Sequence, residues 1–316
     1  MVSWLAKALV QRVVGALPYP HYWNELLQKR FTRSLDLSDE RFEQSLANCR
    51  EHLLRLRRFG PAKTGESFTA FELGTGWFPT VAIGFFLCGA HDVWTCDVVP
   101  FVTRERLKAT VSRFLELELR HSLAHHLPVL SGRLARLRDV MDRCDRPEGE
   151  APATLLEQLG IHYRIGIAVP GQRVDLIASG VVFEYLSPHQ LSEVLWELRR
   201  IGAPDVVMSH TIDLSDQYAA YDPRITGFNF LRFSDFAWRC LSNPIIPLNR
   251  LRVSDYRRAF NASGFEIVEE VDECGDPAEL ARTPLARRFR SYAMDDLLVT
   301  HTRLVSVRSR SRTARS

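Results

Sequence analysis

The chain has 316 residues, of which 46% are hydrophobic and 25% charged, and its formal net charge is +3. These proportions are ordinary for a soluble globular protein, long enough to bury a large core without staples, and they exclude a disordered, fibrous or disulfide-scaffold chain. Arg308, Arg310, Arg312 and Arg315 of the basic tail outweigh that small excess, so the body is close to neutral and carries no nucleic-acid footprint. No run reaches the ~20 apolar residues of a membrane-spanning helix. Cys49, Cys88, Cys96, Cys144, Cys240 and Cys274 include no C-x-x-C pair. That argues against a zinc ribbon or a redox motif, and for reduced thiols in a cytoplasmic protein.

Residues 1–66 read as a helical N-terminal extension. The stretch from Trp4 to Leu17 is amphipathic but broken by Lys7, Gln11 and Arg12. It lacks the uninterrupted core of a signal peptide, and it reads as a surface helix, with weak contact to a membrane surface as the alternative. Ser38 caps a second helix that carries Leu46, Cys49, Leu53 and Leu56 at three- and four-residue spacing. Gly60-Pro61 and the polar run to Ser67 form a linker.

An α/β pattern fills residues 67–306. Strand one is expected over 68–73. A buried helix follows, with Pro79 at its first position, where a missing N–H costs nothing, and Gly89 as its C-cap. Val93 to Cys96 is strand two. Residues 102–153 are a helical insertion, with apolar stripes at Leu107, Val111, Phe114, Leu115 and Leu119, then at Leu134, Leu137 and Met141. Strands are expected at 161–165, 174–178, 206–208, 265–271 and 297–307. Ser187-Pro188 opens one helix and Ser254 another. Residues 215–250 are a cap insertion, and 307–316 a disordered basic tail. Strands alternating with helices imply a doubly wound, mostly parallel seven-stranded sheet.

The chemistry centres on Phe71-Glu72-Leu73-Gly74-Thr75-Gly76-Trp77-Phe78. Glycine lets the chain turn sharply after a strand and approach a ligand closely. Such sheets bind ligands at the carboxyl ends of their strands, where Asp97, followed by Val98, can accept hydrogen bonds from both ribose hydroxyls. A dinucleotide fingerprint would place a third glycine where Pro79 stands. An anionic Glu72 would repel a diphosphate and suits a cationic ligand.

On these residues the chain resembles the class I S-adenosylmethionine-dependent methyltransferases. The resemblance rests on Glu72-x-Gly74-x-Gly76, on Asp97, on Val174-Asp175-Leu176-Ile177-Ala178-Ser179 with Val182-Phe183-Glu184-Tyr185-Leu186, and on Glu197-Leu198-Arg199-Arg200 before strand five. It implies a Rossmann-like sheet, S-adenosyl-L-methionine as cofactor, and cofactor contacts from Glu72, Gly74, Thr75, Gly76, Asp97, Val98 and Ser179. The family often has a glycine where Phe78 stands, usually an acid after strand three, where Arg164-Ile165-Gly166-Ile167-Ala168 has none, and usually a histidine where Tyr185 stands.

Methyl transfer to an oxygen needs a base, and strand five delivers Ser209-His210-Thr211-Ile212-Asp213 to the crevice. His210 is the candidate base and Asp213 its orienting partner. In the cap, Tyr218, Tyr221, Phe228, Phe230, Phe233, Phe236 and Trp238 interleave with Arg224 and Arg232. Most of these aromatics read as a small core, the rest as walls of an acceptor pocket. His121 and His125 fall on one helix face, but no third ligand accompanies them, so no metal is expected. The reading is a methyltransferase for a small-molecule acceptor. A nicotinamide-dependent oxidoreductase, or an inactive scaffold of the same fold, is the alternative.

Overall fold

In the computed structural model, described for residues 4, 5, 8, 36–60, 67–146, 149–166, 173–243 and 247–309, the chain forms a seven-stranded sheet in the order β3-β2-β1-β4-β5-β7-β6. The strands are β1 (Phe68–Leu73), β2 (Ala90–Asp97), β3 (Ile161–Ile165), β4 (Val174–Gly180), β5 (Gly202–Asp213), β6 (Phe265–Cys274) and β7 (Val299–Arg308). The expected doubly wound α/β sheet of seven strands is met by that order. Most of the stretch 4–17, the linker residues 61–66 and tail residues 310–316 lie outside the described residues.

The chain divides into two compact units. One comprises the described residues of Asp36–Gly180, Glu197–His210 and Val305–Ser316. Its centre is β1, flanked by parallel β2 and β4, with β3 parallel to β2. A strand covered on both faces needs no polar alternation, and β1 is buried from Thr69 to Leu73. Helix α1 (Asp39–Phe59) and helix α2 (Thr80–Leu87) supply part of this unit's core, with Phe42, Leu46, Cys49, Leu53 and Leu56 buried on α1. The Ser38 hydroxyl accepts from the Arg41 N–H at the start of α1, as its sequence position predicts. In α2 a Cβ on Gly84 would lie 2.6 Å from the Cys49 sulfur, so the two helices approach through that glycine. Pro79 is the N-cap of α2 rather than its first residue.

The helical insertion resolves into α3 (Arg104–Leu119), α4 (Leu123–His126), α5 (Ser131–Cys144) and α6 (Pro152–Glu157). Arg120 ends α3, and His121 adopts a left-handed φ of 54° between α3 and α4. His121 and His125 therefore share no helix face, and the four-residue spacing has no geometric meaning there.

The second unit comprises the described residues of Met1–Leu35, Val181–Trp196 and Thr211–Leu304. It holds part of α7 (Pro188–Ile201), then α8 (Asp235–Leu241), α9 (Val253–Ala262), α10 (Pro277–Arg282) and α11 (Met294–Leu298). The Ser187 hydroxyl caps α7 through the Gln190 N–H, as the sequence predicts. Helix α9 begins at Val253, one residue before Ser254, and the Asp255 carboxylate caps it by accepting the Arg252 N–H. Tyr218, Phe228, Phe230 and Trp238 are buried in this unit's core, whereas Tyr221 and Phe236 are exposed. Arg224 forks onto Asp222 with both Nε and Nη2. No described helix is long and apolar enough to cross a membrane.

Candidate functional site

The glycine turn sits where the sheet's strand order reverses, at the carboxyl end of β1 between β2 and β4. Gly74 and Gly76 have φ of 87° and 67°, a region where a Cβ is strained. Among the described residues, a Cβ on Gly76 would meet nothing within 4 Å, so there φ rather than crowding demands that glycine. The turn is stitched to β2, because the Gly74 and Thr75 N–H groups both donate to the Cys96 carbonyl.

Asp97 closes the arrangement. Its Oδ2 accepts the Gly76 N–H at 2.8 Å and its Oδ1 the Val98 N–H at 2.8 Å. Each carboxylate oxygen keeps a second lone-pair direction for a ligand hydroxyl. Burial raises the Asp97 pKa and the two backbone N–H groups oppose that rise. Val98 is 72% exposed beside it, an apolar surface at the mouth.

Glu72 is buried next to Thr95, its partner across the β1–β2 ladder. Thr95 Oγ1 donates to Glu72 Oε2 at 2.7 Å, and the Thr75 and Thr95 hydroxyls lie 2.5 Å apart. Burial pushes the Glu72 carboxyl up to about 8; the Thr95 hydrogen bond opposes this and the Asp97 charge adds to it. A carboxyl held mostly neutral at pH 7 is a latent anion that a cationic ligand would ionise.

Sequence reasoning missed two features. Thr95 is one; it was legible as a hydroxyl in register with Glu72. The other is an aromatic shelf. Trp77 meets Phe101 at a centroid distance of 4.4 Å, and the Arg106 guanidinium lies 4.3 Å from the Trp77 centroid. Arg106 is itself buried, and its Nη1 donates to the Phe101 carbonyl at 2.6 Å. An aromatic residue directly after the second glycine was the available signal.

Ser179 and His210 are brought together, but not as a catalytic pair. The Ser179 hydroxyl lies 2.7 Å from His210 Nδ1, and both side chains are buried. Burial drops the His210 pKa to about 3, so the imidazole is neutral at any physiological pH and weakly basic. Asp213 is the third residue on along β5, and side chains alternate faces, so the two point opposite ways. The Asp213 carboxylate instead accepts from the Ser215 N–H and hydroxyl. The neighbouring Ser209 faces α1, where its hydroxyl lies 2.8 Å from His52 Nδ1. The Ser179–His210 and His52–Ser209 contacts are buried polar ties.

The tie predicts a pH effect of known sign. His210 is neutral when folded, but on unfolding it regains its ordinary pKa and takes up a proton below about pH 6.5. Its contribution is therefore complete above that pH and shrinks as the pH falls toward about 3. Urea unfolding of His210→Asn against the parent at pH 7.5 and pH 5.5 should show a gap that narrows by about 1 kcal/mol at the lower pH. An unchanged gap would mean that the imidazole titrates freely in the folded protein.

No family model matches the chain, and no curated protein matches it. Several solved structures are similar. An S-adenosylmethionine-dependent methyltransferase from Mesorhizobium loti is 14% identical, with 81% of this chain and 96% of that chain covered, at a TM-score of 0.41. Magnesium protoporphyrin IX methyltransferase from Synechocystis, with bound S-adenosylhomocysteine, is 12% identical over 92% and 97%, at 0.43. The 1,6-didemethyltoxoflavin-N1-methyltransferase of Burkholderia thailandensis is 12% identical over 93% and 92%, at 0.44.

Proposed function

We propose that the chain is an S-adenosylmethionine-dependent methyltransferase acting on a small-molecule acceptor. The single observation that carries this reading is Asp97 fixed by the Gly76 N–H at the glycine turn. The chemistry of the residues fits the cofactor. When bound, it supplies an activated methyl group on a cationic sulfur. Asp97 offers its outward lone pairs to the ribose hydroxyls. The Gly74–Gly76 backbone admits close approach, and Val98 presents apolar surface beside the ribose. Glu72, tied into the Thr95–Thr75 hydroxyl relay, gives the turn a carboxyl that a bound cation would ionise. His210 serves the site by holding Ser179 in place.

Calorimetric titration tests the reading. S-Adenosylmethionine should bind, and NADH should give no heat. Asp97→Ala should weaken S-adenosylmethionine binding by about 1–3 kcal/mol, the range for losing charge-assisted hydrogen bonds. Unchanged affinity in a folded variant overturns the ribose assignment. Binding of NADH with none of S-adenosylmethionine overturns the cofactor.

A further inference from the structure

A groove of about 190 Å³ lies between α1 and the α4 segment. Its rim carries Arg50 and Arg57 from α1 and His125 and His126 from α4, and no carboxylate lines it. Arg50, Leu53, Leu54 and Arg57 follow i, i+3, i+4, i+7 spacing, so they form one stripe of α1. Neither arginine side chain makes a hydrogen bond or ion pair with a described residue. The nearest acid in sequence, Glu51, is bound to Arg55 instead. The floor is apolar. Leu53 and Leu127 are buried, while Leu54, between Arg50 and Arg57 on the same stripe, is 41% exposed.

Among the described residues, two guanidinium groups and two imidazoles line a concave surface that no acid lines. Guanidinium forks match the oxygens of a phosphate in bidentate geometry, and a phosphate monoester carries close to two negative charges at neutral pH. The exposed leucine beside them suits an apolar body attached to that anion. We propose that Arg50, Arg57, His125 and His126 form a binding site for a phosphate monoester with an apolar body, in addition to the cofactor site proposed at the glycine turn.

Phenyl phosphate, inorganic phosphate and benzoate are the probes, titrated into the full chain at pH 7 and low salt. Binding is read by calorimetry and by the ring-proton resonances of His125 and His126. Phenyl phosphate should bind, more tightly than either inorganic phosphate, which lacks the apolar body, or benzoate, which carries one charge. It should shift both histidine signals. Both arginines are exposed, so Arg50→Gln/Arg57→Gln should fold normally, which circular dichroism checks. That double variant should weaken phenyl phosphate binding at least tenfold. Three results overturn the proposal: no phenyl phosphate binding to the parent chain, parent-like binding to the double variant, or binding that leaves both histidine signals unmoved.

Discussion

Replacing Arg252 with methionine should lower the stability of the protein by about 3–5 kcal/mol, because it leaves three buried carbonyls without their donor. The side chain is fully buried. Its Nη1 donates to the Leu214 carbonyl at 2.7 Å, and its Nη2 to the carbonyls of Leu297 and Val299. One guanidinium thus ties the segment after β5 to the end of α11 and the start of β7, from the N-cap of α9. Burial drops its pKa to about 10, so it still carries its charge at pH 7. Two effects compete on substitution. Methionine removes the cost of desolvating a cation and nearly conserves the volume, which alone would stabilise. It also strips three buried carbonyls of their donor, at roughly 1–3 kcal/mol each. The second effect wins because the acceptors are main-chain atoms that cannot turn toward water without moving β7. Arg252→Lys should fall between, since it keeps the charge and loses the fork. Urea unfolding at pH 7 reads all three proteins. A midpoint for Arg252→Met at or above that of the parent would mean that desolvation dominates.

The residues that could be read from sequence are those whose meaning is local. Gly74 and Gly76 announce a positive-φ turn wherever they follow an apolar run. Ser187-Pro188 announces a helix start, and β1, β2 and β4 show as short apolar runs bounded by turn residues. Elsewhere local spacing misleads, because it lacks the boundary or register that gives it meaning. His121 and His125 stand four apart, but the helix between them ends at Arg120. His210 and Asp213 stand three apart, but β5 runs unbroken from Gly202 to Asp213 and an odd interval in a strand separates two faces. Arg252 was not legible at all, because its partners lie 38 to 47 positions away and are main-chain carbonyls. The side chain that ties this unit together leaves no pattern in the sequence around it.

The second large effect concerns Glu72, and it separates the electrostatic role of that residue from a purely structural one. With its pKa near 8, the carboxyl is mostly protonated at pH 7 in the free protein. The free protein should therefore lose stability as the pH rises from about 4.5 to about 8, by up to ~1.4 kcal/mol per unit, because the folded state retains a proton that the unfolded state has released. Above that window the penalty is constant. A cationic ligand at the turn reverses the balance, since it favours the carboxylate. Binding of S-adenosylmethionine at pH 7 should thus release close to one proton, and its affinity should rise by up to about tenfold between pH 6.5 and pH 7.5. S-Adenosylhomocysteine, whose sulfur is neutral, should release fewer protons and show a shallower pH dependence. Glu72→Gln keeps an acceptor for the Thr95 hydroxyl and removes the titration. It should flatten both profiles while retaining binding. Heats measured in buffers of different ionisation enthalpy count the protons directly. Equal proton counts for the two ligands would show that Glu72 does not sense the sulfonium. Loss of binding in Glu72→Gln at every pH would show that the carboxylate is required outright, rather than tuned by its burial.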